Sequence, residues 1–187
     1  MGKTYAEIDD RLRAFIAKQH MFFVASAPTG PDGHVNCSPK GALDTFRILS
    51  PTRVAYLDFV GSGVETIAHL RQNGRVVLMF CAFDGKPFIV RLYGRGVAVE
   101  PGDPEFAGLR ANFAQALGVR AVVRVDLTRI SDSCGYGVPL FRYEGERPQM
   151  GEWAERKGEA GLEKYQREKN ASSLDGLPGL RWTLAGD

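Results

Sequence analysis

Residues 75–100 read RVVLMFCAFDGKPFIVRLYGRGVAVE and contain two strand-length runs on either side of a turn. The first run, residues 75–82, is rich in β-branched and aromatic side chains, which favour a strand. An Asp-Gly-Lys turn at residues 84–86 leads into residues 88–100, where apolar and polar side chains alternate. The pattern predicts an antiparallel hairpin whose second strand is the longest of the protein and has one buried and one wetter face.

Short strands outnumber helices in the rest of the chain. Further strands are predicted over residues 21–27, 34–40, 53–58 and 121–128. Helices are predicted over residues 4–19, 63–73, 104–117 and 151–169. The first of these is expected to begin at a capping box formed by Thr4 and Glu7. Because strands and helices do not alternate as βα units, the pattern indicates a mainly β, antiparallel barrel with peripheral helices (α+β) and not a doubly wound sheet.

Length, charge and cysteine content restrict the class of protein. A chain of 187 residues that is 44% apolar can bury a core as one domain, residues 1–187. Because 24 basic and 22 acidic residues leave a formal charge of only +2, nucleic acid is not an expected partner. The three cysteines are widely spaced and predict neither a disulfide framework nor a metal site. With no apolar run long enough to cross a bilayer, a cytoplasmic protein without a membrane partner is expected.

The segment Gly61-Ser62-Gly63-Val64-Glu65-Thr66 lies between a predicted strand and a predicted helix. Backbone amides at such a junction can converge on an anion at the positive end of the helix, so a phosphate would fit there. A structural alternative needs no ligand, because Ser62 and Glu65 also have the spacing of a capping box.

The segment His34-Val35-Asn36-Cys37-Ser38-Pro39-Lys40-Gly41 carries a second polar pattern. Because side chains alternate along a strand, Asn36, Ser38 and Lys40 share one face. An amide, a hydroxyl and an ammonium group on one face could hydrogen-bond the polar edge of a flavin and offset phosphate charge. The alternative is a solvated polar face on an edge strand.

Six segments together resemble, in order and spacing, the pyridoxamine 5′-phosphate oxidase-like FMN-binding split-barrel family. They are residues 34–41, 53–58, 61–66, 75–82, 91–96 and 133–139. The most specific strings are N-x-S-P-K-G, G-S-G-x-E-T and S-C-G-Y-G-V-P, and the resemblance covers residues 20–145. Residues 151–187 add a charged helix and a tail whose apolar residues predict docking against the core.

The resemblance implies an antiparallel split β-barrel of FMN-binding type and a homodimer with two FMN sites at the subunit interface. It places the flavin phosphate near Ser62, Gly63 and Thr66, and the strand of Asn36, Ser38 and Lys40 along the ring system and ribityl chain. The full set of predicted cofactor-binding residues is Asn36, Ser38, Lys40, Asp58, Ser62, Gly63, Thr66, Arg91 and Tyr136.

Two members of this set have structural alternatives. Arg91 could contact the flavin or an anionic substrate, or it could pair with carboxylates across the strands. Tyr136 could cover the flavin ring, or it could simply pack within a glycine-rich turn. The histidines are expected to be structural or solvated.

This chain departs from true pyridoxamine phosphate oxidases at two points. Val64 and Glu65 stand where those enzymes carry basic residues, so phosphate neutralisation is expected from Lys40, Arg47 or a partner subunit. The arginine-and-proline substrate motif of those enzymes is not found in the tail, so vitamin B6 oxidation is not expected.

The resulting functional prediction is an FMN-dependent oxidoreductase that acts on an unknown small molecule with NAD(P)H or oxygen as electron partner. Catalytic residues are not assigned, because the flavin itself carries the hydride chemistry. Two alternatives remain open: a non-catalytic FMN carrier or sensor, and a split barrel that has recruited a deazaflavin or haem.

Overall fold

The computed structural model describes residues 2–41 and 43–184, and it contains eight strands and four α-helices within them. The strands are β1 (Thr4–Tyr5), β2 (Met21–Ser26), β3 (Asn36–Gly41), β4 (Phe46–Ser50), β5 (Arg53–Phe59), β6 (Arg75–Cys81), β7 (Ile89–Val99) and β8 (Val119–Ser133). The helices are α1 (Asp10–Ile16), α2 (Glu65–Asn73), α3 (Phe106–Arg110) and α4 (Gln149–Lys169), and short 3₁₀ turns lie at Leu43–Thr45 and Arg181–Thr183.

The strands form one antiparallel sheet in the order β3-β2-β6-β7-β8-β5-β4, with β1 beside β8. Strands β3 and β5 lie near opposite ends of this order, yet Lys40 of β3 reaches Asp58 of β5. This contact shows that the sheet curls on itself. Among the described residues the order ends at β3 and β4, so the barrel is split between them. The predicted fold class, a mainly β antiparallel split barrel with peripheral helices, is confirmed.

The inward face of the curled sheet is apolar and aromatic. The ring of Phe22 on β2 lies 5.4 Å from the ring of Phe46, 5.6 Å from that of Tyr56 and 5.3 Å from that of Phe80. These four rings come from β2, β4, β5 and β6, so they pack across the split. Offset and edge-on pairs of this kind each stabilise the fold by about 0.5–1.5 kcal/mol beyond the contribution of burying their apolar surface.

The predicted start of the first helix is wrong. Thr4 and Tyr5 instead form β1 and pair with Ser131 and Ile130 of β8. Helix α1 begins at Asp10, where the Asp9 carboxylate accepts a 2.7 Å hydrogen bond from the backbone N–H of Leu12. Asp9 thus supplies the N-cap that the sequence pattern had assigned to Thr4.

Other boundaries also differ from prediction. The longest strand is β8 with 15 residues, not β7 with 11, because β8 pairs with β7, β5 and β1 along its length. Strand β4 was not predicted, and α3 covers only five of the 14 residues predicted as helix, 104–117.

The C-terminal helix and the tail both contact the barrel, whereas docking was predicted for the tail only. Helix α4 buries Ala154 and Leu162 against Val60, and Gly158 interrupts it with a left-handed φ of 62°. In the tail, Leu180 is fully buried, whereas Leu174 is 69% exposed and does not join the core. Within the described part of the chain, no helix combines the length and apolarity needed to span a bilayer.

Candidate functional site

The carboxylate of Asp58, on β5, is buried inside the barrel between two cations. The Lys40 Nζ lies 2.7 Å from Asp58 Oδ1, and the Arg120 Nε lies 2.7 Å from Asp58 Oδ2. The side chain of Asp58 has no solvent exposure. Burial by itself would raise the pKa of Asp58, but the two adjacent cations outweigh it and lower the pKa from 3.8 to about 2. The cluster therefore stays ionised and carries one net positive charge.

Arg120 connects this carboxylate to residues 61–66, the glycine segment that precedes and begins α2. Its Nη1 donates a 2.8 Å hydrogen bond to the backbone carbonyl of Gly63, and its side chain is only 5% exposed. Arg120 also lines a cavity of about 830 Å³ between the start of β8, α4 and the tail. Arg120 could not be predicted from the sequence, because only the register between β5 and β8, with its bulge after Asp58, places it beside that carboxylate.

The polar face predicted on β3 is present and joins α2. The hydroxyl of Ser38 donates to Asn36 Oδ1 at 3.0 Å, and the Asn36 amide donates to Thr66 Oγ1 at 2.9 Å. Lys40 continues the same face toward Asp58. Six of the nine predicted residues therefore belong to two neighbouring hydrogen-bonded groups: Ser38, Asn36 and Thr66 form one, and Lys40, Asp58 and Gly63 form the other with Arg120.

The glycine segment leaves the start of α2 without a side-chain cap. Helix α2 begins at Glu65 with Val64 at the N-cap, and among the described residues no side chain makes a capping hydrogen bond there. The capping-box alternative for Ser62 and Glu65 is therefore wrong: Ser62 is exposed, and the Glu65 carboxylate accepts from the backbone N–H of Leu174 at 3.2 Å. Amides of a first helical turn have no partner within the helix, so those of α2 are available to an anion.

The tail holds the glycine segment from the other side. The side-chain amide of Asn170 donates to the carbonyl of Gly61 at 2.9 Å, and Asn170 is fully buried. The imidazole Nδ1 of His34, before β3, lies 2.6 Å from Asp175 Oδ1. Hydrogen bonds from His34 lower the pKa of Asp175. The tail thus contacts the segments before α2 and before β3, the two regions that carry the predicted ligand-binding residues.

Two buried polar atoms near the network lack a hydrogen-bond partner within the described residues. His69, on α2, places Nδ1 3.0 Å from Ser26 Oγ, while its Nε2 is unpaired. Burial lowers the pKa of His69, so its ring is neutral at pH 7. The Tyr56 hydroxyl is also unpaired, and burial raises the pKa of Tyr56 well above 10.

The structure does not bring Arg91 or Tyr136 into this network. Across successive strands, Ser38 pairs with Val24, Val24 with Leu78, and Leu78 with Leu92. All four side chains therefore face inward. Arg91, one position before Leu92, therefore points to the outer face, where its Nη1 donates to Ser133 Oγ at 3.0 Å.

Tyr136 is 82% exposed in the segment after β8. Ser62, the ninth predicted residue, is exposed beside Gly63. Arg47, expected to help neutralise a phosphate, instead donates to the carbonyls of Asn112 and Phe46. In the described ranges, no group of three or more His, Cys, Asp or Glu side chains could hold a metal ion.

These features define an antiparallel split-barrel protein with a buried, ion-paired polar site next to an uncapped helix start. The chain belongs to the pyridoxamine 5′-phosphate oxidase family, because the sequence profile of that family matches residues 8–134. It is 44% identical over 194 residues to the pyridoxamine 5′-phosphate oxidase family protein ustO of Aspergillus flavus, covering 94% of this chain and 77% of that protein.

Solved structures of HupZ from Group A Streptococcus share the fold. A variant of HupZ superposes with a TM-score of 0.51 at 18% identity and covers 67% of this chain and 99% of that one. A second HupZ structure gives a TM-score of 0.50 at 18% identity, covering 66% and 91% of the two chains. At this identity the comparison shows a common architecture only.

Proposed function

We propose that this protein binds FMN non-covalently and acts as a flavin-dependent oxidoreductase on a small molecule. The observation that carries the proposal is the series of hydrogen bonds from Lys40 of β3, through Asp58 and Arg120, to the carbonyl of Gly63. Membership of the pyridoxamine 5′-phosphate oxidase family supports the same cofactor class.

The residues around Gly63 fit the anionic end of the nucleotide. The uncapped amides of α2 and the hydroxyls of Ser62 and Thr66 are hydrogen-bond donors, and Lys40, with 22% of its side chain exposed, adds positive charge. The Glu65 carboxylate is unfavourable to an anion there, because its Oε2 lies against Gly63 while its Oε1 accepts from the amide of Leu174. The net positive charge of the Lys40, Asp58 and Arg120 cluster offsets this carboxylate, so phosphate binding in this proposal depends on the hydrogen-bond donors.

The residues of β3 suit the opposite, ring end of the flavin. Asn36 and Ser38 present an amide and a hydroxyl that are already hydrogen-bonded to each other, so their orientation is set before any ligand arrives. When bound, the flavin supplies the redox chemistry, because its ring accepts and returns a hydride. In this proposal the chain's own residues bind and orient the ring and exclude water from it.

A homodimer is part of the proposal, with each chain completing the site of the other. Arg91 shares the outer face of β7 with Tyr93 and Val97, which are 36% and 46% exposed. An arginine beside exposed apolar side chains suits a subunit interface. Arg91 and Tyr136, which lie outside the network of their own chain, would then contact the flavin held by the partner.

A non-catalytic FMN carrier or sensor is the second candidate, and one observation favours it. Asp58 is ion-paired with a pKa of about 2, and burial lowers the pKa of His69, so neither group is in its acid form at neutral pH. A carrier would bind flavin tightly and show no turnover.

The visible spectrum of the freshly purified protein tests the cofactor. Flavin absorption bands and FMN identified by mass spectrometry of the released ligand are expected, whereas FAD, a deazaflavin or a haem band would replace the FMN assignment. Colourless protein that takes up no added FMN would refute the proposal.

Turnover and oligomeric state need separate measurements. Bleaching of the bound flavin by NADH or NADPH, followed by recovery in air, is expected of the oxidoreductase, and stable bound FMN without bleaching supports the carrier. Light scattering should give a dimer, and a monomer that binds FMN with full affinity would rule out the shared site.

A further inference from the structure

We propose that Glu65 is an internal anion that competes with the phosphate of the ligand, and that a hairpin in the tail, residues 170–180, holds it in the competing position. This regulation rests on the proposed function, because it concerns the same site. A bound phosphate and a closed hairpin tip would then exclude each other, so ligand binding is coupled to the position of the tail.

The side chain of Glu65, the first residue of α2, folds back over the glycine segment. A Cβ atom on Gly63 would overlap Glu65 Oε2, so the carboxylate lies directly against the backbone of Gly63. Negative charge is stabilised at a helix N-terminus, which is also where a phosphate is attracted. The carboxylate and a phosphate beside Gly63 therefore compete for the same positive end of α2.

The tail forms a closed hairpin beside this carboxylate. Its two ends are joined by a 2.9 Å hydrogen bond from the N–H of Leu180 to the carbonyl of Asn170, and both residues are fully buried. The base of the hairpin has further anchors, because the Asn170 amide donates to the carbonyl of Gly61 and the N–H of Arg181 donates to Glu100 Oε2. The base can therefore stay in place when the tip moves.

The tip of the hairpin, residues 173–177, is joined to the site by the described hydrogen bonds at two places. The N–H of Leu174 donates to Glu65 Oε1 at 3.2 Å, the long end of the usual range. Asp175 accepts from the backbone N–H of His34 at 2.9 Å, and its Oδ1 lies 2.6 Å from the imidazole Nδ1. The Leu174 and His34 side chains are 69% and 66% exposed. Exposed polar contacts are weak, so the tip is held less firmly than the base.

A phosphate bound beside Gly63 would displace the Glu65 carboxylate. Two negative groups at close range repel each other, and rotation of the Glu65 side chain away from Gly63 relieves the repulsion. The same rotation breaks the hydrogen bond with Leu174, and only the exposed contact of Asp175 with His34 is left to hold the tip. Phosphate binding and tip closure therefore oppose each other, and by linkage each weakens the other by the same factor.

Glu65→Gln tests the competition, because it removes the charge and keeps the size of the side chain and a hydrogen-bond acceptor. FMN should bind this variant about tenfold more tightly than the parent, since no like charge faces the phosphate. Riboflavin, which lacks the phosphate, should bind the two proteins equally. Glu155→Gln is the matched control, because Glu155 is exposed on α4 and its loss changes the net charge equally. Equal or weaker FMN binding in Glu65→Gln would overturn the proposal.

Hydrogen–deuterium exchange measures the position of the tip. FMN should speed the exchange of the amides of residues 173–177 in the parent by about threefold or more, because the tip is released. In Glu65→Ala these amides should exchange faster before FMN is added, with no further increase afterwards. Slower or unchanged exchange in the FMN-bound parent would contradict the coupling between phosphate and tail.

The outcomes separate this regulation from the cofactor assignment. FMN that binds the parent without faster exchange at the tip, and no more tightly to Glu65→Gln, would overturn the regulation and leave the flavin site intact. Failure of FMN to bind the parent or any variant would overturn both.

Discussion

The Nζ of Lys40 lies 2.7 Å from Oδ1 of the fully buried Asp58, and this ion pair joins β3 to β5 across the split of the barrel. Arg120 occupies the other carboxylate oxygen and extends the connection to the carbonyl of Gly63. The Lys40, Asp58 and Arg120 cluster therefore joins the two ends of the curled sheet and also positions the glycine segment. For this reason, changes at the cluster should affect both stability and ligand binding.

Replacing Asp58 with Asn should be strongly destabilising. The substitution leaves Lys40 and Arg120 without their counter-charge, and breaking a buried ion pair from one side costs about 3–5 kcal/mol. Urea unfolding of Asp58→Asn measures the loss. Asp126→Asn is the control, because Asp126 is 44% exposed in its pair with Arg53, and its loss should cost less than about 1 kcal/mol. Equal losses in the two variants would contradict a special role for the buried cluster.

The stabilisation from Asp58 should disappear in acid. Because its pKa is about 2 in the folded chain and 3.8 ordinarily, the folded state binds fewer protons than the unfolded state between these values. The stabilisation is fully present above pH 3.8 and is lost as the pH falls through about 2.

The depressed pKa corresponds to about 2 kcal/mol. The difference in unfolding free energy between the parent and Asp58→Asn should therefore shrink by about 2 kcal/mol as the pH is lowered from 6 to 2. A difference that stays constant over this range would show that Asp58 has an ordinary pKa.

Arg120→Gln should weaken FMN binding in addition to destabilising the barrel. The variant loses a buried cation and the bond to the Gly63 carbonyl, so the glycine segment is less well positioned for a phosphate. Quenching of FMN fluorescence on titration should show a dissociation constant raised about 10- to 100-fold. Arg124→Gln, on the same strand but paired with Glu105 at the surface, should retain the parent affinity. Equal FMN affinity in both variants would exclude Arg120 from the site.

Lys40→Ala and Ser62→Ala should each weaken flavin retention, by about 1–3 kcal/mol, if a charged or phosphate-directed hydrogen bond is lost. Equilibrium dialysis against FMN measures this change. Cys37→Ser serves as the control, because Cys37 is exposed on β3 between Asn36 and Ser38 and faces away from them. Unchanged affinity in both Lys40→Ala and Ser62→Ala would contradict the phosphate position.

The sequence was sufficient where a local repeat carries the information. Alternation at residues 88–100 predicted β7, and the Asp-Gly-Lys turn predicted its hairpin with β6, because pleat periodicity and turn geometry are properties of neighbouring residues. The polar face of Asn36, Ser38 and Lys40 could be predicted for the same reason. Arg91 shows the limit of this reasoning, because its strand was predicted but its outward direction relative to β3 was not.

By itself, the sequence determined six of the eight described strands, the mainly β class and the two segments that form the candidate site. Only the tertiary structure decided that β1 extends the sheet beside β8, that Glu65 binds the tail and does not form a capping box with Ser62, and that Arg120 completes the buried cluster. These three features depend on contacts between residues more than 60 positions apart. Such contacts leave no periodic signal in the chain, because they arise only when the sheet curls and its register is set.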